Sequence, residues 1–109
     1  MTNEIERRLA ANEAVFREVN EAIERGHWPG EEDARGAFRC ECARLDCSKL
    51  VSLTPRKYEH IRSNSRHFVV RPGHENAELE TVVERTADYV VVEKLGDAAR
   101  EAEATDPRS

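Results

Sequence analysis

From Ile5 to Ile23 the apolar residues fall at Ile5, Leu9, Phe16, Val19 and Ile23, with Asn12 in the gap, so the intervals alternate between four and three. That spacing predicts a long amphipathic N-terminal helix over residues 1–26, stopped by Gly26. The charged residues around the stripe form a solvated face with i,i+4 pairs such as Glu13 with Arg17. The stripe itself predicts packing on the chain's own sheet. Its other use is self-association with a second copy, where Asn12 would set the register.

"HWPGEEDARG", residues 27–36, combines Pro, two Gly and three consecutive acids and reads as a linker or loop. Beyond it the period changes from helical to two. "AFRCEC" alternates like a strand, and "KLVSLTP" sets Leu50, Ser52 and Thr54 on one side of a second strand with Val51 and Leu53 on the other. Thr54 is an N-cap and Pro55 a first helical residue, opening a short helix whose Tyr58 and Ile61 face one way. "HFVVRPG" is a further strand stopped by Pro-Gly. Leu79–Glu84 and Tyr89–Leu95 form two more around a turn at Arg85–Asp88. "DAAREAEA" favours helix, and residues 105–109 form a flexible tail. The expectation is an α+β fold: a long N-terminal helix and one small, mainly antiparallel sheet with one or two short helices, the domain proper covering residues 37–104.

A chain of 109 residues accommodates one core. With 36% charged and 6% aromatic residues, that core is small enough for a metal to add useful stability. No apolar run is long enough to span a membrane and no secretory leader opens the sequence, so a cytoplasmic protein without membrane contact is expected. The net charge of -5 opposes nucleic-acid binding by bulk electrostatics. Residues 40–74 nevertheless hold seven bases against three acids, a local +4. Arg44, Lys49, Arg56, Lys57, Arg62, Arg66 and Arg71 are the candidates there for an anionic partner.

All three cysteines fall in "FRCECARLDC". On an extended strand Cys40 and Cys42 project from one face, and "ARLD" allows a turn that returns Cys47 toward them. Three thiolates from one hairpin-like element need a fourth ligand for tetrahedral zinc, and four histidines compete for that place. His74 in "RPGHE" follows a Pro-Gly turn that can present it inward. His60 lies on the short helix, His67 begins a strand, and His27 adjoins Trp28. The candidate metal ligands are therefore Cys40, Cys42, Cys47 and His74. The charged neighbours Arg39, Glu41, Arg44 and Asp46 argue against three thiols simply buried in an apolar core. A redox pair among the thiols is the main alternative. A catalytic zinc would leave the fourth position to water, with Glu75 or His74 nearby, and no catalytic residue is otherwise indicated.

The segments "RRLAANEAVFREVNEAIE", "FRCECARLDC", "LTPRKYEHIRSNSRHFVVRPGHE" and "TVVERTADYVVVEK" together resemble a group of small, uncharacterised actinobacterial proteins carrying C-E-C-x4-C and P-G-H-E segments. The resemblance spans roughly residues 7–95. It implies that Cys40, Cys42, Cys47 and His74 belong to one pattern consistent with a bound metal, and implies no activity. The expected function is a small non-enzymatic, zinc-finger-like interaction or regulatory protein with a structural Cys3His site. The expected partner is a protein or a second copy. A thiol or metal redox sensor and a nucleic-acid binder are the alternatives, with a small zinc hydrolase behind them.

Overall fold

The computed structural model describes residues 4–26, 30–42 and 47–106, with side chains from residue 14 onward. The elements run α1 (Glu4–Arg25), β1 (Gly36–Arg39), β2 (Leu50–Leu53), α2 (Pro55–Arg62), β3 (His67–Val70), β4 (Glu80–Arg85), β5 (Val90–Lys94) and α3 (Gly96–Ala104). The α+β class stands, but the strands form two antiparallel sheets instead of one: a β1-β2 ribbon and a three-stranded sheet in the order β3-β5-β4. The division falls at Cys40. Its N–H still bonds Lys49 O across the ribbon at 3.1 Å, whereas the next residue, Glu41, bonds Val69 O of β3 at 2.8 Å.

Side-chain parity on the three-stranded sheet divides the interior in two. Val69 and Val91 face the ribbon and α2, where they join Phe38, Val51, Leu53, Tyr58, Ile61 and Tyr89. Phe68, Val70, Val90 and Val92 face the other way and pack with Cys40, Cys47 and Ala102 of α3. β5 is central, so Val90, Val91 and Val92 are all buried in succession. α2 begins as its sequence predicts, with Thr54 Oγ1 accepting from Lys57 N at 3.0 Å ahead of Pro55.

The packing face of α1 is where the hydropathy pattern misleads. Residues 4–13, on which a long amphipathic stripe depends, have no described side chains, and the Asn12 register contact lies among them. The stretch Ala14–Arg25, about three turns, buries Phe16, Arg17, Asn20 and Glu21. Val19, assigned to the stripe, is 40% exposed, and Arg17 and Glu21, assigned to the solvated face, are 0% and 6% exposed.

The reason is that α1 packs against backbone as well as side chains. The Cys40–Lys49 bond makes Arg39 a position whose N–H and C=O point away from β2. The Asn20 side chain takes both: its Nδ2 donates to Arg39 O at 2.8 Å and its Oδ1 accepts from Arg39 N at 2.6 Å. Arg17, stacked 3.7 Å from the centre of the Phe68 ring, donates to Ser65 O and His67 O at 2.7 and 3.1 Å and to Ala102 O at 3.3 Å. A buried polar group is tolerated when it is hydrogen-bonded, and these groups complete strand ends that would otherwise be orphaned.

Arg62 of α2 links α1 to the segment just beyond α3. It donates from Nε to Glu21 of α1 at 2.6 Å and from NH2 to Asp106 at 2.6 Å. Asp106, which the sequence places in the flexible tail, is 8% exposed and lies 3.9 Å from Arg17 as well. Burial alone would lower the pKa of Arg62, but the Asp106 and Glu21 hydrogen bonds prevail and hold it above its usual value. Burial and the neighbouring Arg62 depress Arg17.

Candidate metal centre

One ligand atom from each of Cys40, Cys42, Cys47 and His74 lies within 4.8 Å of the others. His74 Nδ1 sits 3.6 Å from both Cys40 Sγ and Cys47 Sγ. Tetrahedral zinc with bonds of about 2.3 Å to sulfur and about 2.05 Å to nitrogen sets S···N edges at about 3.6 Å. The donor set and these edges therefore fit a metal ion of that size. No disulfide joins the three cysteines; Cys40 and Cys47 are buried and Cys42 is half-buried.

Two chain segments supply the ligands. Cys40 and Cys42 were expected on one extended strand, but β1 ends at Arg39 and Cys42 lies in a bend. Cys40 is held instead by its ladder bond to Lys49, and Cys47 by Arg39, which donates to its carbonyl at 3.0 Å. His74 closes a turn in which His74 N donates to Arg71 O at 2.9 Å, with Pro72 in the second position and Gly73 at φ 91° in the third. Pro then Gly at positive φ is the type II pattern, and a side chain at Gly73 would be strained there. Glu75 ties the turn down: its carboxylate accepts from Gly73 N at 2.8 Å and pairs with Arg85 of β4 at 2.9 Å. Its own backbone N–H and the Arg85 guanidinium hold its carboxyl below the usual range.

Arg71 N donates to Cys40 Sγ at 3.2 Å, the kind of amide contact that orients a ligating sulfur. The Cys42 hydrogen bond, burial and the nearby thiols push the Cys40 thiol strongly up. Thiolates crowd together without mutual penalty only around a cation, which supplies the charge that such a site lacks on its own.

Glu41, between the first two ligands, is completely buried, contrary to its use as a sign that the thiols avoid the interior. Cys40, beside it, is also fully buried. The Glu41 carboxylate accepts from Asn20 Nδ2 at 2.8 Å, Tyr58 OH at 2.9 Å and Val69 N at 2.9 Å. Burial and this carboxylate drive the Tyr58 hydroxyl pKa far up, so it remains a donor. One sequence signal could have found the role of Glu41. If Cys40 and Cys42 face the metal, an alternating residue between them faces the opposite way, into the protein.

Glu41→Gln will place an amide N–H₂ against at least one of these three donors. We expect a loss of about 1–3 kcal/mol in stability, read by denaturant unfolding, with the fold retained.

The remaining candidates are not brought together. His60 is exposed on α2, and His67 pairs with Glu93 at 3.1 Å. His27 and Arg44 lie outside the described residues. Of the basic middle segment, Arg62 is buried, while Arg56, Lys57 and Arg66 pair with Asp33, Glu84 and Glu103. Only Lys49 and Arg71 among its described members are exposed without a carboxylate partner among the described residues. Among the described residues, no helix is long and apolar enough to cross a membrane.

No protein-family model matches the chain, and no curated protein or solved structure matches it significantly. Nothing in these comparisons bears on an actinobacterial kinship. What stands of the sequence resemblance is the convergence of the three cysteines and His74.

Proposed function

We propose that this is a small non-enzymatic interaction or regulatory protein whose Cys40, Cys42, Cys47 and His74 hold a structural zinc. The carrying observation is the convergence of four ligand atoms within 4.8 Å from two segments separated by three secondary-structure elements. Soft thiolates with one imidazole favour zinc among the common divalent ions. Four protein ligands complete a tetrahedron and leave no position for a reacting water, which supports a structural role over a hydrolytic one. The placement of Cys40 and Cys47 within a core cluster supports the same reading, since the ion would then join the ribbon to the β3–β4 connection at that cluster.

The ligand assignment is tested by histidine replacement. His74→Ala will cut zinc content, measured by elemental analysis after dialysis, well below one equivalent per chain. His60→Ala and His67→Ala will retain the wild-type amount. Equal retention in all three variants would defeat the assignment of His74, and a wild-type protein purified without metal would defeat the site.

A further inference from the structure

The edges of the two sheets are closed unevenly. On β3, Val69 turns its N–H and C=O away from β5, and Glu41 takes both, the N–H through its carboxylate and the C=O through its own amide. On β1, Asn20 takes both groups of Arg39, one of the two outward-facing residues of that strand. On β2 the alternation points the N–H and C=O of Leu50 and Ser52 away from β1. Their carbonyls accept from guanidinium groups, Leu50 O from Arg71 at 3.4 Å and Ser52 O from Arg35 at 3.2 Å. Among the described residues, no acceptor bonds either N–H. An open cavity of about 360 Å³ lies against this edge, lined by Leu50, Ser52, Arg71, Pro72, Ala87 and Asp88.

We propose that the outer edge of β2 receives an extended acidic peptide segment of a partner protein, added as a third strand to the β1-β2 ribbon. The N–H groups of Leu50 and Ser52 are two residues apart, about 6.8 Å along a strand, which is the repeat of outward carbonyls on an incoming extended chain. The edge offers mainly donors, because its carbonyls are already engaged. Lys49 and Arg71 add unpaired positive charge at the Leu50 end, while Arg35 at the other end is neutralised by Asp88 at 3.0 Å. Leu50, 54% exposed, provides an apolar contact beside the charges. A second copy is disfavoured by the same donor excess, since its own β2 edge would bring N–H groups whose neighbouring carbonyls are already held by Arg71 and Arg35.

This inference rests on the reading of the domain as an interaction module and supplies its surface. The probe is an acetylated, amidated heptapeptide of alternating Glu and Val, titrated into isotope-labelled, zinc-loaded protein and followed by backbone amide shifts. Saturable shifts confined to Leu50–Leu53 and the Arg71 turn are expected, with affinity of about 100 μM that falls as salt is added. Ser52→Pro removes one outward N–H without touching the ladder to β1, and Arg71→Glu reverses the charge; each will weaken binding about tenfold or more.

Absence of shifts at about 2 mM peptide, shifts elsewhere, or equal binding of the peptide with Lys for Glu would overturn the proposal. Concentration-dependent shifts of the same amides without peptide would also overturn it, by assigning the edge to a second copy. Should Ser52→Pro fail to fold, Arg71→Glu alone decides: undiminished binding by that variant rejects an acidic ligand at this edge. A flat titration on folded, zinc-loaded protein removes this inference alone, whereas missing zinc removes the metal reading.

Discussion

Serine in place of Cys40 will yield a protein without stoichiometric zinc and with a thermal midpoint lowered by about 15 °C or more. Cys40 sits where three interactions meet. Its sulfur is one corner of the Cys3His cluster and accepts from Arg71 N, its backbone extends the β1-β2 ladder to Lys49, and it has no solvent exposure. A serine oxygen is harder and its C–O bond shorter, so it neither matches zinc's preference nor reaches the same point. Structural zinc in small domains carries an apparent binding free energy of about 10–16 kcal/mol, and losing even a third of that displaces the midpoint by this much in a domain of this size. Elemental analysis and thermal unfolding by circular dichroism give the two readings. A metal-free variant with an unchanged midpoint would show that the four ligands do not serve stability.

The second large effect is expected at Arg62. Arg62→Ala leaves the Glu21 and Asp106 carboxylates buried without the guanidinium that bridges them. Removing one partner from a buried ionic set costs about 3–5 kcal/mol, because the desolvated charges that remain are uncompensated. The loss will appear as a lower urea midpoint at unchanged slope. Replacing Glu21, Arg62 and Asp106 together with apolar residues of similar volume will recover most of it, since the desolvation penalty disappears with the charges. If the single variant were as stable as wild type, the network would be an incidental feature of the surface between the helices.

Local patterns in the sequence carried most of the elements. Thr54-Pro55 set the start of α2, Pro72-Gly73 set the turn that delivers His74, and period-two alternation put Val51 and Leu53 on one side of β2, which is the buried one. The cysteine and histidine cluster was legible because its spacing needs only short-range geometry and one long-range partner. What hydropathy could not show was the polar half of the interior. Arg17, Asn20, Glu21, Glu41, Arg62 and Asp106 look like surface residues in any local window. Each is buried because a strand end, an aromatic ring or an opposite charge from a distant segment meets it. Such matches depend on tertiary placement, so a periodicity argument assigns these residues to solvent and shifts the helix face toward Val19, which is in fact exposed.

The asymmetry between the two edges of the ribbon has a consequence for valency. A ribbon open on both sides can template strands without limit, the geometry that leads to fibres. Here an arriving strand on the β1 side would first have to displace the Asn20 amide from Arg39, whereas the β2 side has donors to spare. The ribbon's readily used valency is thus its β2 edge, since a strand arriving on the β1 side adds only at the expense of the Asn20–Arg39 bonds.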